Sequence, residues 1–317
     1  MNDQEKYLFD LRGYIVVKNA LTSDQVRDLS DRLEDRRKNP PGKRNDKKWF
    51  IFGSDRTVFA NEEDAAWTSP SLLEWGGTYI DLIDLPTIAP YLETLLGGGY
   101  RLDHDYLKIE NEERTNTLYL HGGGQGAGGA RDIVGPTDGG QCFYRYNNGK
   151  FYNGLVSVAF ELSDVSPASG GFACVPGSHK MNFPLPEDWR ISKTQADVHE
   201  CVDRVTANAG DAIIFTEACA HGTIPWEGGG ERRTIFYKYC PHAVAWGACF
   251  YNGDNYGELT DSQRAILMPP SAYGPHEHTA AIWKKAQAEQ AELQRLRKEL
   301  AELKAQQDDS VGSSADS

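Results

Sequence analysis

Between residues 117 and 245 the apolar positions come in short runs separated by glycine turns. The runs fall at 117–121, 154–162, 172–175, 212–216 and 234–239, and several alternate with polar residues at the period of a strand. Gly210-Asp211 ahead of the fourth run is a hairpin-turn pair. Upstream, Tyr100 to Ile109 alternates too, which places Leu102, His104, Tyr106 and Lys108 on one face and Asp103, Asp105 and Leu107 on the other. Helical spacing is found outside this region. Residues 6 to 18 predict a short helix and then a strand at Gly13 to Val17. Thr22 and Gln25 form a capping-box pattern, opening a helix to about Lys38 with Val26, Leu29 and Leu33 on its buried face. Pro40-Pro41-Gly42 stops it, and Lys43 to Lys48 reads as a solvated basic turn. Residues 71 to 97 predict helical pieces broken by Pro86 and Pro90. The expected fold class is mainly β with flanking helices, a jelly-roll type of double sheet.

After Pro275 the texture changes. Residues 279–307 are rich in Ala, Glu, Lys, Leu and Gln, and Leu293, Leu296, Leu300 and Leu303 form one apolar stripe. Two heptads are short for an independent coiled coil, so packing of this helix against the body is expected ahead of dimerisation. The assembly is expected to be a monomer or homodimer. Residues 308–317 form a polar tail, expected to be disordered, and residues 1–278 one catalytic domain.

Composition supports a sizeable core: 39% of 317 residues are hydrophobic and 11% aromatic. The net charge of −13 argues against binding a nucleic-acid polymer or a membrane surface, and against an acidic carrier protein as partner. No apolar run is long enough to span a bilayer, and Met1 to Glu5 shows no leader pattern. Six scattered cysteines form neither a zinc site nor a disulfide framework, and a cytoplasmic protein with reduced thiols is expected.

The chemistry gathers at two histidines. Thr117 to Leu120 delivers His121 into a glycine-rich loop, and Ala212 to Phe215 leads toward His221. Arg232 follows eleven residues after His221, so a returning hairpin would bring its guanidinium back beside that histidine. A guanidinium takes a carboxylate bidentately, and Thr223 could add a hydroxyl. Two neutral imidazoles with open coordination positions describe a non-haem Fe(II) site. His104 and Asp105 are neighbours on a strand and point oppositely, so His104 is read as a structural or substrate contact.

The chain resembles the phytanoyl-CoA dioxygenase family of Fe(II)/2-oxoglutarate-dependent oxygenases. The resemblance is carried by Phe9 to Tyr14, Leu120-His121, Asp164 to Lys180 with its Val175-Pro176-Gly177-Ser178-His179, and Ala209-Gly210-Asp211 through His221 to Arg232. It implies a double-stranded β-helix (jelly-roll, cupin-like) core and iron held by His121 and His221. It also implies 2-oxoglutarate on the iron reaching Arg232 and Thr223, molecular oxygen as co-reactant, and His179 in a structural turn.

One position departs from the family pattern. Gly123 stands where the family has an iron-binding aspartate. Glu217 lies four residues before His221, roughly 13 Å along an extended strand, so the sequence reads it as too distant to substitute. Asp132 and Asp138 could fold back. A missing carboxylate leaves a coordination position and a negative charge unfilled, and chloride or bromide supplies both. Similarity to the 2-oxoglutarate-dependent halogenases, which carry glycine or alanine there, implies halogenation of an unactivated C–H with Gly123 at the halide position. The alternatives are a hydroxylase of the same family and a non-catalytic binding module.

Gly124 to Gly129 matches the dinucleotide fingerprint by letter only, because no helix is expected to begin there. That loop reads better as a lid, with Arg131 and Arg145 available to an anionic substrate. Lys108, Lys150, Arg190 and Arg233, with nearby aromatics, admit a free small molecule such as a nucleotide or nucleoside.

Overall fold

The computed structural model describes residues 1–38, 67–70, 72–113, 117–122, 142–183, 185–246 and 251–276, together with helical residues scattered from 281 to 304. Gly123, Arg131, Asp132, Asp138, the Gly124–Gly129 run, the turn at 43–48 and the tail at 308–317 lie outside the described residues.

Helix α1 (Asp3–Arg12) ends at Gly13, whose φ of 82° is the left-handed cap that glycine adopts without strain. Strand β1 (Tyr14–Val17) and helix α2 (Ser23–Lys38) follow, and both halves of the Thr22–Gln25 capping box form. Then come β2 (Trp67–Pro70), α3 (Thr78–Asp81), α4 (Ala89–Leu96), β3 (Tyr100–Glu110), β4 (Leu118–Tyr119), the hairpin β5 (Tyr144–Asn147) and β6 (Lys150–Asn153), and β7 (Val156–Glu161). The remaining elements are β8 (Gly171–Cys174), β9 (Ile191–Ser192), β10 (Asp203–Arg204), β11 (Ala212–Thr216), β12 (His221–Ile224), β13 (Arg232–Pro241) and α5 (Asp261–Ile266). None of the described helices is long and apolar enough to cross a membrane.

The strands make a six-stranded sheet, β1-β11-β7-β13-β3-β2, and a three-stranded sheet, β10-β8-β12. Period-two burial sorts the large sheet into two faces. Ala212, Ile214, Val158, Phe160, Ile235 and Tyr237 join the helical layer of Phe9, Leu29, Leu33, Leu92 and Leu95. Ile213, Phe215, Ala159 and Phe236 turn the other way and pack with Phe172 and Cys174 of the small sheet. The resulting jelly-roll interior is where the polar side chains of interest converge.

Two expectations are corrected. Leu102 does not share a face with Tyr106: it joins the helical-side core, because a register shift between Lys238 and Tyr239 leaves Asp103 without an opposite residue and flips the alternation. The C-terminal leucines do not pack on the body. Leu293, Leu296, Leu300 and Leu303 are 48%, 48%, 53% and 58% exposed.

Asp105 sits on the helical side of β3, fully buried, and accepts hydrogen bonds from the Tyr251 hydroxyl and the Leu72 amide. Burial outweighs both bonds and pushes its carboxyl up to about 6. An unfolded aspartate titrates near 3.9. The folded state therefore binds this proton more tightly, and its contribution is complete below pH ~4 and lost as pH rises through about 6. A gap of about two units corresponds to roughly 3 kcal/mol. Denaturant unfolding of Asp105→Asn across pH 4 to 7 should show a shallower decline in stability than the parent chain. An unchanged slope would assign that dependence to another group.

Candidate metal centre

His121 and His221 arrive side by side because their backbones form a mutual bridge. The His121 amide donates to the His221 carbonyl at 3.0 Å and the reverse bond is 2.8 Å. Their ring centres are 4.2 Å apart. The His221 Nδ1 lies 2.7 Å from the Cys219 carbonyl, and the His121 Nδ1 lies 3.3 Å from the Tyr119 carbonyl. A carbonyl only accepts, so each Nδ1 carries the hydrogen and each Nε2 keeps a lone pair free for a metal. Burial drives the His121 imidazole down to about 3, so it is neutral and able to ligate.

A carboxylate completes the group. After β11 the chain does not continue as an extended strand: the Cys219 amide bonds the Thr216 carbonyl at 3.0 Å, closing a tight turn. That turn brings Glu217 back, and donor atoms of His121, Glu217 and His221 all lie within 4.8 Å of one another. The spacing argument against Glu217 therefore fails, because it assumed an extended backbone through residues 217–220. The Glu217 Oε1 accepts from the Ser157 hydroxyl and is 2.7 Å from the Lys238 ammonium, while Oε2 is 3.5 Å from the His221 Nε2. Burial opposes ionisation of Glu217, but Lys238 and the Ser157 hydroxyl outweigh it and hold the carboxyl well below the usual range. Two imidazoles and one carboxylate are the donor set of a non-haem Fe(II) centre.

The inner face of β3 and β13 extends this polar wall. Lys108 donates to the Thr223 hydroxyl at 3.0 Å and lies 3.0 Å from Glu110. Arg232, only 1% exposed, has its terminal nitrogens 2.9 Å from Glu110 and 2.5 Å from Glu161. Arg232 is linked to Thr223 only through Glu110 and Lys108, and two buried carboxylates already take the positions intended for a cosubstrate. Lys108 is the ammonium that reaches Thr223. Beyond Lys238, His104 bonds Asp103 at 2.7 Å and lies tilted against Trp246, with ring centres 5.1 Å apart. Tyr106 and Phe236 stack at 4.7 Å between these two polar groups.

Other candidates lie elsewhere. Arg145 is exposed on the β5–β6 hairpin, its guanidinium 5.6 Å from the Phe143 ring centre. That hairpin packs on α1 and on the Ser178–Lys180 turn through Tyr144. Arg190 is buried with its Nε donating to the Leu185 carbonyl, and Arg233 is paired with Glu34 and Glu231. His179 donates from Nε2 to the Asp10 carbonyl, 3.0 Å away, in a structural turn as the resemblance implied. Glu217, Lys238 and Ser157 were missed by sequence reading. Their signal was present: Glu217 and Lys238 are single charges set in apolar runs, Ile213 to Ala220 and Ile235 to Cys240.

Residues 140–234 match the family model of phytanoyl-CoA dioxygenase. That stretch spans under a third of the chain. The matched stretch includes Glu217, His221 and Arg232. No curated protein sequence matches the chain significantly. Among solved structures it is similar to HygX from Streptomyces hygroscopicus with nickel and 2-oxoglutarate bound, at TM-score 0.61 and 23% identity over 81% of this chain and 95% of that one. It is also similar to SnoK, a non-haem α-ketoglutarate-dependent carbocyclase from nogalamycin biosynthesis, at TM-score 0.52 and 14% identity over 78% and 88% of the two chains. AviO1 from Streptomyces viridochromogenes Tue57 aligns at TM-score 0.50 and 20% identity over 77% and 96%. These likenesses establish the fold.

Gly122 connects the two halves of the centre. Its φ is +84°, and an added Cβ would collide with the Cys219 carbonyl and stand 2.8 Å from that of Glu217. Gly122→Ala should push the 217–219 turn away from His121. Disturbing the surroundings of metal ligands typically costs about 10- to 100-fold in affinity. Titration with Mn(II) followed by electron paramagnetic resonance should show a loss in that range, and parent-like affinity would mean that the turn does not set the ligand geometry.

Proposed function

We propose that this chain is an Fe(II)/2-oxoglutarate-dependent oxygenase that oxidises an unactivated C–H of a free small molecule, with His121, His221 and Glu217 holding the iron. The observation that carries this reading is the convergence of those three donors within 4.8 Å. Iron with 2-oxoglutarate and molecular oxygen would supply the oxidising power. Thr223 and Lys108, with Arg232 behind them, would take the far carboxylate of 2-oxoglutarate. Tyr106, Phe236, Phe172 and Phe215 form the apolar wall near the histidines and would exclude water from the reacting carbon.

Charge balance favours oxygenation over halogenation. The described inner wall holds Lys108, Arg232 and Lys238 against Glu110, Glu161 and Glu217, each cation paired with a carboxylate. Fe(II) and the 2-oxoglutarate dianion add no net charge to that wall. A halide would add one uncompensated negative charge to a buried site, which is costly. Halogenation with chloride or bromide remains the second reading, favoured by one observation: glycine at position 123. A phosphate-bearing substrate gains no support from Arg145, Arg190 or Arg233, each placed or paired away from the histidines. HygX has been solved with hygromycin B bound, and SnoN with nogalamycin RO, so bulky natural products of that kind are reasonable first substrates to screen.

Succinate release in halide-free buffer with Fe(II), 2-oxoglutarate and oxygen separates the readings. Oxygenation predicts succinate without halide; strict dependence on chloride or bromide would establish halogenation instead. Glu217→Ala should abolish succinate formation and weaken Fe(II) binding by more than about tenfold, since loss of a direct ligand exceeds loss of its supports. Parent-like metal affinity in that variant would remove Glu217 from the centre.

A further inference from the structure

The described residues between 292 and 304 are helical, and their four leucines face outward at the 3-4-3 spacing of a coiled-coil seam. We propose that this stripe is the seam of a parallel two-stranded coiled coil formed with a second copy of this chain. Leu293 and Leu300 take the a positions and Leu296 and Leu303 the d positions. The flanks then follow from the sequence. Glu292 and Glu299 occupy g, and Arg297 and Lys304 occupy e.

In a parallel pair each g residue meets the e residue of the next heptad on the other helix. Glu292 would face Arg297 of the second copy, and Glu299 would face its Lys304, on both sides of the seam. An antiparallel pair would instead set glutamate against glutamate and base against base. The charge pattern therefore selects both the occupant and its direction.

Ion pairing within the chain is consistent with this assignment. Arg295 pairs with Glu292 and Glu299, and Lys298 with Glu302, so the outward positions c and f are served within their own helix. Arg297 and Lys304 make no ion pair among the described residues. Upstream, Glu289 falls at a d position and ends the apolar seam. Two heptads form a marginal helix pair on their own, so association is expected to be reversible and concentration-dependent.

Sedimentation equilibrium of the full chain over a range of concentrations tests this. The mass should rise from one chain to two. Arg297→Glu with Lys304→Glu should remain monomeric, as should Glu292→Lys with Glu299→Lys, and an equimolar mixture of the two variants should recover the doubled mass. Leu296→Asp with Leu300→Asp should also stay monomeric while thermal unfolding of the body is unchanged. A parent chain that is monomeric throughout would overturn the proposal. So would a dimer that survives the charge reversals, a mixture that does not reassociate, or leucine variants that destabilise the body by undocking the helix from it.

Discussion

One buried ion pair sets the geometry beside the two histidines. Glu217 and Lys238 lie 2.7 Å apart with side chains 4% and 5% exposed. Removing either partner would strand a charge, and breaking a buried pair typically costs about 3–5 kcal/mol. Such a pair is poor at adding stability compared with apolar packing, but it fixes geometry. Here it pins one carboxylate oxygen, aided by Ser157, and leaves the other turned toward His221. The sheet strand that carries Lys238 thereby determines where the carboxylate of a separate turn sits relative to the two histidines.

The same logic extends along the jelly-roll interior. Lys108, Glu110, Arg232 and Glu161 tie β3, β13 and β7 together, and Thr223 brings in the small sheet. Burial raises the Glu161 carboxyl, while Lys108 and Arg232 overcome burial at Glu110 and lower its carboxyl. The wall is therefore polar yet locally compensated, suited to a metal and a dianion that compensate each other. Aromatic rings between the two ionic groups keep the intervening space apolar.

The fold was largely legible. Strands at 212–216 and 234–239 are observed at Ala212–Thr216 and Arg232–Pro241, and the capping box at Thr22 opens α2 as expected. The β5–β6 hairpin was missed although its signal was present: Asn148-Gly149, both at positive φ, is the turn pair of a two-residue hairpin between Tyr144-Arg145-Tyr146 and Phe151-Tyr152. Leu102 was misassigned since a bulge is set by pairing between strands, which one strand's alternation cannot report. Of the site, both histidines were legible from their position after apolar runs. Glu217 was not, because the distance between residues four apart depends on whether the chain turns, and Thr216 to Ala220 has no glycine or proline to announce one.

The sequence alone determined where the strands of the large sheet run, where the two histidines enter, and that residue 123 offers no carboxylate. Those are properties of neighbours along the chain, governed by steric period and by side-chain chemistry. Only the tertiary structure decided which carboxylate stands beside the two histidines, which cation lies by Thr223, and that Arg232 is already engaged. Each of those depends on side chains from separate strands meeting in a low-dielectric interior. There an unpaired charge is costly, so the partners chosen across the sheets fix the chemistry that the site can support.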